Sequence, residues 1–130
     1  MDAQTRTNVM AALQSEAFAC VRYTLMAAEA RSEGDVAVAE LLEGISRIES
    51  KEHFAELAKL VGLVGGDADN IVTAIDDESR EREERYRLFA EQARAAGEPE
   101  VARLFEEIRA DMRDDVRALE RELERLEVPA

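Results

Sequence analysis

The chain has 130 residues, enough for one domain with a core of its own and no need of disulfides. Hydrophobic residues make up 46% and charged residues 36%, with 6 Gly and 2 Pro, a helix-forming balance that excludes a disordered chain and argues against an all-β one. A net charge of −13 disfavours nucleic acid and anionic membrane surfaces as partners, since both need a basic face.

Taken in chain order, helical spacing of apolar residues predicts four helices, over roughly 4–31, 35–63, 69–95 and 98–127. The breaks carry Gly34, Gly65-Gly66, and Gly97 with Pro99, residues that cap helix ends and open new helices. Helix 1 carries Val9, Leu13, Cys20 and Tyr23, and Glu16 continues that stripe. Helix 2 carries Leu42, Ile45 and Leu60, with Glu49 near the centre of the face and Glu52, His53 and Glu56 within ~45° of it. In helix 3, Glu78 follows Ile71 and Ile75, and Glu81 flanks it. In helix 4, Asp115 lies on the line Ile108–Met112–Leu119.

The chain repeats itself at an offset of 63 residues. Between 22–45 and 85–108, 12 of 24 positions are identical, among them Arg22/Arg85, Tyr23/Tyr86, Gly34/Gly97 and Glu43/Glu106. A helical hairpin used twice explains this, and a pseudo-two-fold bundle of all-α class is expected as a single domain over 1–130.

The inner acids stand about 25 Å from their turns, at ~1.5 Å per residue, so they are expected to converge at mid-bundle. Carboxylates cannot share a dry core unless protons, arginines or metal ions offset their charge. Carboxylates with a histidine suit iron or manganese. Arg82 and Arg85 fall near the inner face of helix 3 and offer the other solution, as partners for Glu78 or Asp115.

Helix 1 reads Asn8-x-x-x-Ala12-x-x-x-Glu16-x-x-Ala19-x-x-Arg22-Tyr23, then Ala27, Ala30, Glu33 and Gly34. Helix 3 reads Glu78-x-x-Glu81, then Tyr86, Phe89, Ala90, Ala93 and Gly97, and helix 4 opens Val101-Ala102-x-Leu104-Phe105-x-x-Ile108. Over most of 8–120 this resembles the rubrerythrin branch of the ferritin-like superfamily. The resemblance implies a ferritin-like four-helix bundle with a carboxylate-bound iron site, two ions where the dinuclear form is kept. The family pattern is one Glu from helix 1, Glu-x-x-His from helix 2, two Glu from helix 3 and Glu-x-x-His from helix 4.

Glu16, Glu78 and Glu81 match that pattern. Counting from Gly34, Glu49 matches and Glu52 takes the His position, with His53 one residue late. Anchoring on His53 puts Ser50 at the Glu position instead. In helix 4, Met112 takes the Glu position and Asp115 the His position. The candidate ligands are therefore Glu16, Glu49, Glu52, His53, Glu78, Glu81 and Asp115, with manganese as the other metal that suits them. Tyr23 and Tyr86 are paired by the repeat; the resemblance implies that they donate to ligand carboxylates, and the other reading is that they are amphipathic core residues. Cys20, beside Glu16, is read as a small buried hydrophobe.

The implied activity is oxidoreductase chemistry on peroxide or dioxygen, or oxidation and handling of iron. The second reading is a metal-free, degenerate family member serving as a dimeric helical scaffold or binding module. The family's rubredoxin-type domain would need cysteine pairs, and Cys20 is the one cysteine. A separate electron-donor protein is thus expected, with a homodimer, formed by hairpin swapping in one version. A cytoplasmic location is expected, because the first ten residues lack the basic start and apolar stretch of a secretory signal. The helix 2–3 connection is expected either to be short, or to run extended over 64–74 and span up to ~36 Å. Residues 127–130 are expected to fray.

Overall fold

A computed structural model describes residues 1–127, and every regular element among them is helical. The chain forms two compact units, Met1–Val64 and Gly65–Ala130.

The first unit is a hairpin. Helix α1 runs Ala3–Ser32. It opens on Asp2, whose carboxylate accepts from the Thr5 backbone N–H at 3.0 Å, and so satisfies one of the free donors of a helix start. It closes on Gly34 at φ +85°, a conformation that suits glycine. Gly34 N–H donates to Arg31 C=O at 3.1 Å and Asp35 N–H to Ala30 C=O at 2.9 Å, the paired bonds of a Schellman stop. Asp35 then caps α2 (Val36–Ile48) through the Val38 N–H, at 3.1 Å. A π-helical turn follows at Glu49–Phe54, and α3 (Ala55–Val61) ends on Gly62 at φ +63°.

The seam between the two arms is made of small residues. Ala27, Ala30 and Ala39 are buried, and Ser46 Oγ donates to the Cys20 carbonyl at 3.0 Å. Cys20 Sγ lies 3.3 Å from the Ser46 hydroxyl, so its small side chain fills the seam. Towards the open end, Val9, Leu13 and Ala58 form a buried cluster with Phe54, Leu57 and Val61 packed on it.

The π turn keeps this seam in phase. In a plain α-helix Ala58 would sit about 120° round from Ser46, at ~100° per residue. A turn closed i→i+5 takes up one extra residue, which brings the offset back to about 20°. Ser46 and Ala58 are accordingly both buried. The expected uniform helix over 35–63 is corrected here, because wheel arithmetic assumes one constant pitch.

The second unit repeats the turn. Gly97 has φ +78°, its N–H donates to Arg94 C=O at 3.1 Å, and Glu98 N–H donates to Ala93 C=O at 2.9 Å. Ala90 and Ala102 are buried where Ala27 and Ala39 are in the first unit. Arg31 meets both Glu43 oxygens at 2.7 Å, and its counterpart Arg94 meets Glu106 at 3.1 Å.

The arm leading into that turn is not one helix, as the spacing predicted over 69–95. It is α4 (Asp67–Asp77) and α5 (Arg80–Ala95), both packed on α6 (Pro99–Glu127). The cause is local. Ser79 caps α5 by accepting from the Arg82 N–H at 3.4 Å, and the Arg82 guanidinium closes α4 on the Asp77 carbonyl at 3.0 Å. Because α4 starts at Asp67, the extended 64–74 path is also corrected. Asn70 holds the entry by bonding Gly65 N–H and C=O at 2.8 and 3.0 Å. Of the end expected to fray, Glu127 closes α6, while 128–130 lie outside the described residues.

Candidate metal centre

Three donor side chains converge in the first unit. Glu16 comes from the middle of α1, and Glu49 and His53 come from the π turn. His53 Nδ1 lies 3.5 Å from Glu16 Oε2 and 3.5 Å from Glu49 Oε2, and one donor atom of each residue falls within 4.8 Å of the others.

The wide turn makes this set. In an α-helix, residues four apart are offset by about 40° and residues three apart by about 60° the other way. The family spacing Glu-x-x-His therefore differs from Glu49-x-x-x-His53 by one residue, which the i→i+5 turn absorbs. His53 is the residue brought to Glu49, while Glu52 is exposed and stands outside the group. Ser50 donates to the Arg47 carbonyl at 3.2 Å, so anchoring the pattern on Ser50 finds no support. Sequence spacing alone left Glu52 and His53 undecided. The signal that distinguishes them was the late histidine itself, since an inserted residue inside a packed helix calls for a bulge.

The donor set fits a cation. Both glutamates are half-buried, and Glu16 Oε2 is buried with no hydrogen-bond partner. An acceptor in that state costs about 1–3 kcal/mol, and more for an ion, unless positive charge reaches it. The 3.5 Å spacings are long for hydrogen bonds. They are close to the roughly 3.0–3.4 Å separating two ligands that each sit ~2.1 Å from one ion. Two carboxylates and an imidazole suit iron or manganese.

The other predicted residues lie in the second unit and form a different environment. Glu78 sits at the α4–α5 break, half-buried, with Arg82 Nη1 3.5 Å from its Oε1. Glu78 Oε2 is buried without a partner. Asp115 is exposed and lines a cleft of about 410 Å³ with Glu78, Arg82 and Asp77. Glu81 is exposed, with Arg85 at 4.0 Å. Met112 is buried at 4% exposure. Counted at the repeat offset, Ser79, Met112 and Val116 stand where Glu16, Glu49 and His53 stand, so the hairpin is duplicated and the donor triad is not.

Tyr86 packs edge-on against Phe89 and Phe105, with ring centres 5.7 and 6.0 Å away. Tyr23 is half-buried in the first unit. Among the described residues no hydrogen bond joins either hydroxyl to a carboxylate. Glu83, unlike Glu78, is fully engaged: Arg113 and then Arg109 hold its carboxyl below the ordinary glutamate value.

An all-α chain of repeated hairpins with a carboxylate–histidine cluster on its first hairpin is the pattern of the ferritin-like metal proteins. The rubrerythrin family model matches residues 7–111, and the chain belongs to that family. No curated protein matches the chain. Among the described residues no helix is long and apolar enough to cross a membrane.

Proposed function

We propose that the protein is a rubrerythrin-like non-haem iron protein whose iron is held by Glu16, Glu49 and His53. The observation that carries this reading is the buried, unpartnered Glu16 oxygen beside a carboxylate and an imidazole at metal-ligand spacing. Iron bound there would supply one-electron redox steps. The reaction class is oxidoreductase chemistry on peroxide or dioxygen, with oxidation of ferrous iron as the variant in which iron is the substrate. Reduction of hydrogen peroxide to two waters takes two electrons and two protons, and the electrons would come from a separate donor protein. Glu16 and Glu49 would fix the ion through their Oε2 atoms, and His53 through Nδ1.

The second unit favours a competing reading, a metal-free scaffold of the same fold. There Met112 fills a ligand position and Arg82 neutralises Glu78. Anaerobic reconstitution with ferrous iron separates the two. The expected result is at least one iron per chain and a raised unfolding temperature, both lost in Glu16→Ala/Glu49→Ala. A folded wild-type chain that holds no iron overturns the iron reading and leaves the scaffold. Manganous ion serves as the second metal in the same assay.

A further inference from the structure

Just beyond the donor triad, the arms of the first hairpin are joined by uncharged groups. Ser46 Oγ donates to the Cys20 carbonyl at 3.0 Å. With its one proton committed there, the same Oγ accepts from the Cys20 thiol at 3.3 Å. The Thr24 hydroxyl stands 2.9 Å from both that carbonyl and that Oγ. Ser46 is the one buried polar residue among the described residues. Cys20 comes one helical turn after Glu16, and Ser46 three residues before Glu49, so this clasp lies about 5–6 Å along the arms from the ligands.

The second hairpin closes at the same place with charge. At the offset of 63, Cys20, Thr24, Ser46 and Ser50 become Glu83, Arg87, Arg109 and Arg113. Arg109 Nε stands 3.3 Å from Glu83 Oε1, and Arg113 Nη2 stands 2.6 Å from it. The Arg109 side chain is 19% exposed, so a seam of this kind takes an arginine. Closure of the hairpin therefore does not account for the four uncharged side chains of the first.

We infer that the clasp of Cys20, Thr24 and Ser46 reserves Glu16 and Glu49 for a cation, by joining the arms without an arginine in the seam. The inference rests on the reading that Glu16, Glu49 and His53 hold iron. A guanidinium carries a permanent charge and five donors, so beside a carboxylate it competes directly with a metal ion. The second hairpin shows the effect at Glu78, which Arg82 approaches to 3.5 Å. In the first hairpin, Glu43 already gives both oxygens to Arg31 at 2.7 Å. An arginine in place of Ser46 would therefore turn to Glu49 and to the unpartnered Glu16 oxygen. Ser46 is thus a positioning residue that sets affinity by what it leaves free.

Calorimetric titration of the metal-free full chain with manganous ion, and anaerobically with ferrous ion, tests this. Ser46→Arg should bind about tenfold or more weakly at low salt, and the gap should narrow as salt is added. Ser46→Met, of similar length and uncharged, should bind nearly as wild type does. Cys20→Glu/Ser46→Arg adds the carboxylate that holds Arg109 in the second hairpin, and should recover most of the lost affinity. Ser50→Arg leaves the buried serine in place, should also weaken binding, and decides the matter if Ser46→Arg does not fold. Unchanged affinity in the arginine variants overturns the inference and leaves the iron reading standing. Equal losses in Ser46→Met and Ser46→Arg do the same, since bulk would then be the cause, and so does a double variant that recovers nothing. A folded wild type that takes up neither ion overturns the iron reading, and this inference with it.

Discussion

The two hairpins share a turn and differ in what they hold. Each stops on a left-handed glycine, closes with the same pair of backbone bonds, packs buried alanines at the seam and ties its arms with an arginine–glutamate pair twelve residues apart. Deeper in, one arm pair presents Glu16, Glu49 and His53, and the other presents Ser79, Met112 and Val116 at the same count. The comparison teaches that the turn is a folding device independent of the chemistry. The chemistry proposed for the chain would depend on three side chains and one widened turn.

The largest test of this difference is to exchange roles across the repeat. Glu49→Ala should abolish the metal-induced rise in stability, which is about 2.7 kcal/mol at a hundredfold excess over the dissociation constant. Met112→Ala should leave that rise in place and instead lower baseline stability by about 2–5 kcal/mol, because a buried side chain is removed. Denaturant unfolding with and without ferrous iron measures both. Equal metal responses in the two variants would erase the distinction between the hairpins.

Deleting Lys51, an exposed residue of the π turn, comes next. The deletion brings Glu49 and His53 to the family's Glu-x-x-His spacing on a plain α-helix. It should preserve both the metal response and the packing of Ala58. Any single deletion within Val36–Ile48 should instead throw the helix out of phase and cost several kcal/mol through lost core contacts. Thermal melts of the two deletions decide it, and equal damage would remove the turn's role as absorber of one residue.

A smaller and symmetric effect is expected at the turns. Gly34→Ala and Gly97→Ala should each cost about 1–2 kcal/mol, the strain of a side chain at positive φ, since an added Cβ meets nothing within 4 Å in either place. Unequal costs would show that the turns are less alike than their bonds.

The smallest effect belongs to the exposed ion pairs. Arg31 holds the Glu43 carboxyl below its ordinary value, mainly by hydrogen bonding, and Arg94 does the same for Glu106. A lowered carboxyl pKa contributes stability that is present above the unfolded value and lost as pH falls through the folded one. The small gap between wild type and Arg31→Met should therefore be open at neutral pH and close as pH drops below the ordinary glutamate value of 4.5. Salt should narrow it as well. A gap that stays constant through that range would mean that the pair acts by packing alone.

Much of this was legible in the residues, for reasons that differ by element. Glycine at a helix stop and alanine in a seam act locally, so the turns at Gly34 and Gly97 and the repeated hairpin could be read directly. Glu16 and Glu49 could be placed because their arms are plain α-helix up to those points. His53 could not, because its position depends on a change of pitch that a fixed 100° wheel has no means to represent. The break before Ser79 was readable in part: a serine followed by a charged run is a helix start, but the apolar line Ile71–Ile75 masked it. The two readings of the tyrosines could not be separated in the residues for another reason. Their pairing by the repeat reflects the hairpin, and the phenylalanines that surround Tyr86 come from two different arms.

Under the proposed iron reading, the lone oxygen of Glu16 would have a consequence for the life of the molecule. A chain that folds around an acceptor with nothing to accept is less stable than the same chain with a cation in place, and a cell reads lower stability as turnover. Chains lacking the ion would open more often, meet proteases sooner and be cleared first. On that view the abundance of the protein would track the supply of its metal with no dedicated sensor, because the fold itself would grade each copy by what it carries.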